Sequence, residues 1–419
     1  MHIINIGVKM GVSILSKRSA FAHNSILEEE KVADSLIKRG IKVIEINRGD
    51  PAAYFPTPAY TINAYVKALR ERKTSYSRDS GIMPLVKAIS SRYKKKYGVS
   101  SNANDVIVTA GVSEALLFIN MATINPGDNA IIFRPFYNQY LTQLKISGGV
   151  PVYENYDEAN GWDLNPESIK KTLKSLKNSG RLKRTKYMLI TNPNNPTGTV
   201  LSRKVLEEVV DLANEYGIFL ISDEIYDEIY YNEAKFTSLS QLAKGIPHMI
   251  LNGASKDFDS TGFRIGYMLL PESDKTSEEL KSKLAEFASV RLCVNTPAQY
   301  AFAESISNQK EHNKEIKHMV SEIEKRVNAA VNVLQENEKI RVVEPNGAFY
   351  ILPRLDFKSL KIKDDREFVD RFLREEHVML SRGSGFGADS HVRVVALPPK
   401  DILEYAMDKL NRFCDKYSK

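Results

Sequence analysis

The sequence predicts an α/β fold: a large, mostly parallel sheet with helices on both faces, followed by a smaller α+β unit. Three observations carry this. Between about residues 104 and 270, short apolar runs alternate with helical stretches whose apolar residues recur every three or four positions. The apolar runs end in polar turns holding the chemically capable side chains, as happens where parallel strands share a carboxyl edge. Beyond Leu270 the alternation gives way to long charged helices and short strand pieces.

Bulk properties bound the rest. A chain of 419 residues is long enough for two domains. Its 42% apolar and 26% charged residues are those expected of an ordinary soluble globular protein, and no apolar run approaches the length needed to span a bilayer. The net charge of +7 is spread along a chain of mixed sign. The densest basic stretch, Lys170 to Lys186, holds eight Lys and Arg residues and is expected to be a solvated helix face and loop. The expected partners are therefore anionic small molecules, with neither nucleic acid nor membrane among them. Two cysteines, Cys293 and Cys414, build no disulfide framework or metal site, so a reducing, cytoplasmic setting is expected. The opening stretch to Leu15 is interrupted by Asn5 and Lys9 and lacks a basic leader, so no signal peptide is expected.

In chain order, Ser25 to Lys38 reads as a charged helix, and Val43 to Ile46 as a strand closed by Asn47-Arg48-Gly49-Asp50-Pro51. Gly49 allows backbone to approach a ligand there. The Pro-rich piece from Pro51 to Pro58 should be irregular. A helix follows Gly81, with Leu85, Ile89 and Tyr93 on one stripe. Strand Val106 to Thr109, the turn Gly111-Val112-Ser113 and a helix from Glu114 put free N–H groups and a positive helix end at one point, a seat for phosphate. Strand Ala130 to Phe133 leads to Tyr137, placed to stack on a flat ring. Strand Tyr187 to Thr191 leads to Asn195-Pro196-Thr197-Gly198. Helix Arg203 to Tyr216 and strand Ile218 to Ser222 then lead to Asp223-Glu224-Ile225-Tyr226. Farther on come helices Ser277 to Ser289, Gln299 to Glu336 and Asp365 to Glu376, short strands between them, strand Val392 to Ala396 and a final helix. Gly383, Gly385 and Gly387 form G-x-G-x-G, but no helix is expected after them, which excludes a dinucleotide fingerprint.

The centre of this arrangement is Ser255-Lys256, behind the buried strand Met249 to Asn252, with Arg264 eight residues on. Shielding from water favours the neutral amine of Lys256, a nucleophile for aldehydes. The planar fork of Arg264 suits a phosphate. An aldehyde and a phosphate together describe pyridoxal 5′-phosphate.

With these motifs the chain resembles fold-type I, pyridoxal-phosphate-dependent aminotransferases of class I and II, over nearly its whole length. The likeness rests on Asn195-Pro196-Thr197-Gly198, Asp223-Glu224-Ile225-Tyr226, Ser255-Lys256 with Arg264, and Val392-Arg393. Softer strings, among them Asn295-Thr296-Pro297-Ala298-Gln299, Pro345-Asn346-Gly347-Ala348-Phe349-Tyr350 and Gly383-Ser384-Gly385-Phe386-Gly387, resemble prokaryotic-type alanine aminotransferases. The resemblance implies an aspartate aminotransferase-like fold with a seven-stranded, mostly parallel sheet. It also implies an amino-terminal segment 1–50, a large cofactor domain 51–298 and a small domain 299–419. Lys256 would carry the cofactor as an internal aldimine and shuttle a proton, and Asp223 would face the pyridine nitrogen. Tyr226 and Asn195 would bond the phenolate oxygen, and Tyr137 would stack on the ring. Arg264, Ser255, Ser113 and the amides of Gly111, Val112 and Ser113 would hold the phosphate. Tyr76 would reach the neighbouring subunit's site, implying a homodimer. Arg393, Asn195 and Gly49 would take the substrate.

The implied reaction is ping-pong transfer of an amino group from L-alanine to 2-oxoglutarate. The same scaffold also serves aspartate or aromatic donors, carbon–sulfur lyases, and effector domains of transcription regulators; the last needs a DNA-binding domain for which fewer than about fifty residues remain. Two departures stand out. Gly253 replaces a hydroxyl residue common in the family, and Phe21 to Lys31 holds no arginine for the second carboxylate of glutamate.

Overall fold

Alternate residues along the buried strands point to opposite faces, and in this protein both faces are covered. The computed structural model describes residues 14–22, 26–272 and 274–419; the first part of the expected amino-terminal segment lies outside them. Val106 and Val108 enter one apolar cluster while Ile107 enters another. Ile131 and Phe133 split in the same way from Ala130 and Ile132, as do Met188 and Ile190 from Tyr187 and Leu189. This period of two, apolar on both sides, is the signature of a sheet sandwiched between helices.

The sheet has eight strands. In spatial order they are Val106–Thr109, Gly266–Leu269, His248–Gly253, Phe219–Asp223, Thr185–Thr191, Asn129–Arg134, Val150–Asp157 and Asp163–Leu164. The four strands from His248–Gly253 to Asn129–Arg134 pair in parallel, as does Val150–Asp157. Gly266–Leu269 runs against both its neighbours, so Val106–Thr109 points the same way as the parallel set. The two-residue edge strand Asp163–Leu164 is the element beyond the seven expected, added as an antiparallel return from Val150–Asp157. The carboxyl ends before Gly111, Tyr137, Asn192, Glu224 and Ala254 therefore share one edge.

Local chemistry sets the helix limits. Helix Arg203–Tyr216 starts where the Ser202 side chain accepts from the Val205 amide and ends at Gly217 in the left-handed region. The helix expected from Ser277 to Ser289 spans Lys275–Arg291, because Asp274 accepts from the Thr276 and Ser277 amides. The single helix expected from Gln299 to Glu336 is two, Thr296–Ser307 and Gln309–Gln335, broken at Asn308. Helix Thr296–Ser307 packs against helices Ala59–Arg70 and Met83–Tyr97. Within the basic stretch, helix Pro166–Asn178 buries Ile169, Leu173 and Leu176 and leaves its lysines outward or half-buried. The glycine-rich piece Gly383–Phe386 is a 3₁₀ turn followed by strand Val392–Val395.

A third apolar cluster joins the amino-terminal strand to the last part of the chain. Ile46 packs with Ile323 and Val327 of the long helix, Phe368 and Phe372 of helix Asp365–Glu376, and Leu410 of helix Lys400–Lys416. Strand Ile44–Glu45 pairs in parallel with Val378–Met379. Tyr350–Ile351 and Ser381–Arg382 flank Val392–Val395 in a three-stranded sheet. This part carries Arg393 and Tyr350 to the large sheet's carboxyl edge.

Candidate active site

A cavity of about 400 Å³ opens at that edge, lined by residues from both parts of the chain. Val112, Ser113, Tyr137, Asn195, Asp223, Tyr226, Ser255, Lys256, Arg264, Gly49 and Arg393 all line it, so nearly every side chain singled out by sequence converges on one place.

Lys256 is part-buried at the cavity wall, and loss of water around its amine is the largest cause pulling it down from 10.5 to about 8. Nζ donates to the Gly49 carbonyl at 2.5 Å. The loop carrying it is tied at its base: the Ala254 amide donates to Ile265 O at 2.9 Å, and the Ser260 amide to Ala254 O at 3.2 Å. Gly253 is required by close approach, since a Cβ there would stand 2.6 Å from the Ile265 carbonyl oxygen. No hydroxyl side chain fits at that position, which accounts for the departure noted in the sequence.

Asp223 ends its strand at the cavity wall. Its Oδ2 accepts from the Tyr140 hydroxyl at 2.6 Å and its Oδ1 from the Ile225 amide at 3.2 Å. Burial outweighs both bonds and lifts the carboxyl to about 6. Such an acid favours a cationic N–H partner, whose charge would restore the carboxylate. Beside it the Tyr226 and Tyr350 hydroxyls share a 2.8 Å hydrogen bond, with their rings edge to face.

The third corner is built for an anion. Helix Val112–Thr123 begins there, presenting its first amides and its positive end. Gly111 stands behind Arg264 at φ 75°, a conformation that favours glycine, with the Arg264 guanidinium 2.5 Å from where a Cβ would lie. Arg264 itself adopts the left-handed region at φ 54°, an unusual conformation for a side-chain-bearing residue, and its NH1 donates to Thr261 O at 3.1 Å. A shielded amine, an acid in the same cavity and a cation-lined helix end suit the aldehyde, ring nitrogen and phosphate of pyridoxal 5′-phosphate. The residues present fit that cofactor.

Arg393 forms the substrate side. It is buried, donates from NH1 to Asn195 Oδ1 at 3.0 Å and from NH2 to Asn47 O at 2.7 Å, and lies between the rings of Tyr350 and Phe386. Its Nε has no partner among the described residues, an orphaned buried donor suited to a carboxylate.

Tyr76 is not brought to this cavity; it is 81% exposed on the surface of its own chain. Sequence reasoning also missed Tyr140, which braces Asp223 from three residues past Tyr137, and Arg48 with Glu30 at the cavity mouth. Tyr350 and Phe386 lay in strings already noted, but nothing local marked them as cavity walls.

Beneath the site is a buried ionic network. The Arg92 guanidinium contacts Asp227 Oδ2 at 2.8 Å and Glu228 Oε1 at 2.6 Å, while Asn252 donates to Asp227 Oδ1 at 2.9 Å. The Glu228 amide donates to Asp257 Oδ2 at 3.1 Å. Burial, with Asp227 alongside, holds the Asp257 carboxyl well above the usual range. This network ties the turn after Asp223 to the residue after Lys256.

A family model described as aminotransferase class I and II matches residues 41–410. The glutamate-pyruvate aminotransferase AlaA of Haemophilus influenzae is 33% identical over 390 residues, 92% of this chain and 94% of its own. An aspartate aminotransferase of Bacillus subtilis is 31% identical over 409 residues, covering 96% of this chain and all of its own. Among solved structures, an alanine aminotransferase from Pyrococcus furiosus superposes with a TM-score of 0.90 at 37% identity, over 96% of this chain and 100% of that one.

Proposed function

The chain belongs to the class I and II aminotransferases, enzymes that depend on pyridoxal 5′-phosphate, and we propose that it moves the amino group of L-alanine to 2-oxoglutarate in two half-reactions. The observation that carries the chemistry is the buried Lys256 amine sharing one cavity with Asp223, Arg264 and Arg393. Alanine as donor is supported by the relatives with that printed activity and by the aromatic walls around Arg393. Its guanidinium carbon lies 4.9 Å from the Tyr350 ring centre and 4.2 Å from that of Phe386, leaving a small side chain the easiest to seat.

When bound, the cofactor supplies an aldehyde that condenses with amines and a ring that accepts the electron pair released at the α-carbon. Lys256 would hold the cofactor through that aldehyde and, once freed by substrate, would take up and return the proton at the substrate's α-carbon. Asp223, held by Tyr140, keeps the ring nitrogen protonated. Tyr226 and Asn195 would donate to the ring oxygen and Tyr137 would stack on the ring. Arg264, Ser113, Ser255 and the amides at Gly111, Val112 and Ser113 hold the phosphate. Arg393 grips the α-carboxylate in two-point contact and so orients the bond to be broken, with Gly49 closing from the amino-terminal side.

We extend the proposal to organisation. The segment 1–50, a cofactor domain 51–298 and a small domain 299–419 would form each subunit of a homodimer, with Tyr76 reaching the partner's phosphate. Free Cys293 and Cys414 support a cytoplasmic setting, and among the described residues no helix is long and apolar enough to cross a membrane.

The Bacillus subtilis relative keeps aspartate as the rival donor. Turnover of purified enzyme over a panel of amino donors with 2-oxoglutarate decides between them. Alanine is expected to exceed aspartate and tyrosine in kcat/KM by more than about tenfold, and the reverse order overturns the assignment. Pyruvate and ammonia released without an oxo acid would indicate a lyase.

A further inference from the structure

We propose that Arg48 binds the side-chain carboxylate of dicarboxylic substrates, and that Glu30 takes the same guanidinium when a monocarboxylic substrate fills the site; this rests on the alanine and 2-oxoglutarate assignment above. Four cationic side chains line the cavity. Lys256, Arg264 and Arg393 have tasks at the aldehyde, the phosphate and the α-carboxylate. Arg48 is the fourth, and that mechanism leaves it without one.

Its place in the chain is telling. The carbonyl of Asn47 accepts from Arg393 and the carbonyl of Gly49 accepts from Lys256. Arg48 thus sits between the backbone groups that touch the α-carboxylate clamp and the reactive amine. A substrate held by Arg393 with its α-carbon near Lys256 would therefore lie beside this segment, in the cavity that Arg48 lines. The segment itself is pinned: the Ile46 amide donates to Met379 O at 3.1 Å, the Val395 amide to Ile46 O at 2.8 Å, and Thr261 to Asp50 Oδ1 at 2.7 Å. The Arg48 backbone is fixed, and its long side chain has the freedom to turn.

Among the described residues, the hydrogen-bond acceptor of that guanidinium is Glu30 Oε1, at 2.8 Å. The two side chains are 63% and 30% exposed. An exposed pair of this kind contributes little and exchanges readily for another carboxylate. The amino-terminal stretch, with no arginine between Phe21 and Lys31, thus supplies the competing anion, and the next segment supplies the cation. One cavity must accept a methyl group in one half-reaction and a carboxylate in the other. A guanidinium with an internal carboxylate in waiting meets both demands without leaving either charge alone.

The test uses the holoenzyme with Arg48→Met, Arg48→Lys and Glu30→Gln. Half-reaction kcat/KM is measured for L-glutamate and L-alanine, and Kd for the unreactive acids glutarate and propionate by calorimetry. In Arg48→Met, both the glutamate-to-alanine ratio and the preference for glutarate over propionate are expected to fall about tenfold or more. Arg48→Lys should recover part of each ratio. Glu30→Gln should raise both about threefold by removing the competitor. Parallel loss on both classes of ligand, or unchanged glutarate selectivity in Arg48→Met, overturns the proposal. A wild-type enzyme inactive on alanine overturns the donor assignment instead, while the glutarate measurement still reports on Arg48.

Discussion

At the residue scale, the buried amine of Lys256 makes a prediction that needs no catalysis. Folding lowers its pKa from 10.5 to about 8 through burial, so the unfolded chain holds its proton over a range where the folded chain has lost it. Between those two values stability therefore rises with pH. Below the lower value the folded state carries the full cost of a buried cation, about 3 kcal/mol from a shift of this size. Replacing Lys256 by Met keeps the side-chain length and removes the charge. In cofactor-free protein, Lys256→Met should melt above wild type at pH 7, and the gap should close as pH approaches 10. A gap constant across that range would show that the cavity does not strain the charged amine.

At the element scale, the strand ends were legible and the supports behind them were not. Ser202 and Gly217 bracket a helix that the sequence delimits to the residue. Asp223 and Lys256 could be assigned to a shared edge because turns follow apolar runs. Helix Asn138–Ile146 went unread, since its stripe is short, and the hydrogen bond from Tyr140 to Asp223 joins positions 83 residues apart. The break at Asn308 has no Gly or Pro to announce it. Nor does any local pattern show that Arg92, on helix Met83–Tyr97, reaches Asp227 and Glu228 in the turn beyond Asp223. That network makes a prediction of its own. Arg92→Met would leave the Asp227 and Glu228 carboxylates with the partly exposed Lys96, 3.7 and 3.0 Å away, as their remaining cation. Removing the buried partner costs about 3–5 kcal/mol where such pairs are broken one-sidedly. Unfolding by denaturant should show a loss of that order; a change below about 1 kcal/mol would mean Lys96 suffices as their counter-charge.

At the scale of the whole molecule, the exposed surface near Tyr76 supports a second subunit. Tyr76 is anchored by its neighbours: Thr296 donates to Ser75 O at 3.1 Å and the Ser77 amide donates to Cys293 Sγ. Around it Val290 and Leu292 are exposed at 85% and 47%. Leu117 and Met121 are exposed on the helix that packs against Lys275–Arg291. Exposed apolar side chains of this kind are what the proposed second subunit would cover, and a two-fold arrangement would place each Tyr76 at the other site. Mixing subunits tests this directly. Tyr76→Phe should weaken cofactor retention, and Lys256→Ala should abolish turnover. In a mixed dimer the Lys256→Ala subunit lends its intact Tyr76 to the Tyr76→Phe subunit, so one complete site forms. At limiting cofactor, a reassembled equal mixture should approach about a quarter of wild-type activity, the share set by random pairing. Activity equal to the average of the two separate variants would mean that each Tyr76 serves its own chain or none. Because the Tyr76→Phe variant keeps its own Lys256, that outcome would bear on the subunit arrangement and leave the chemistry within one cavity intact.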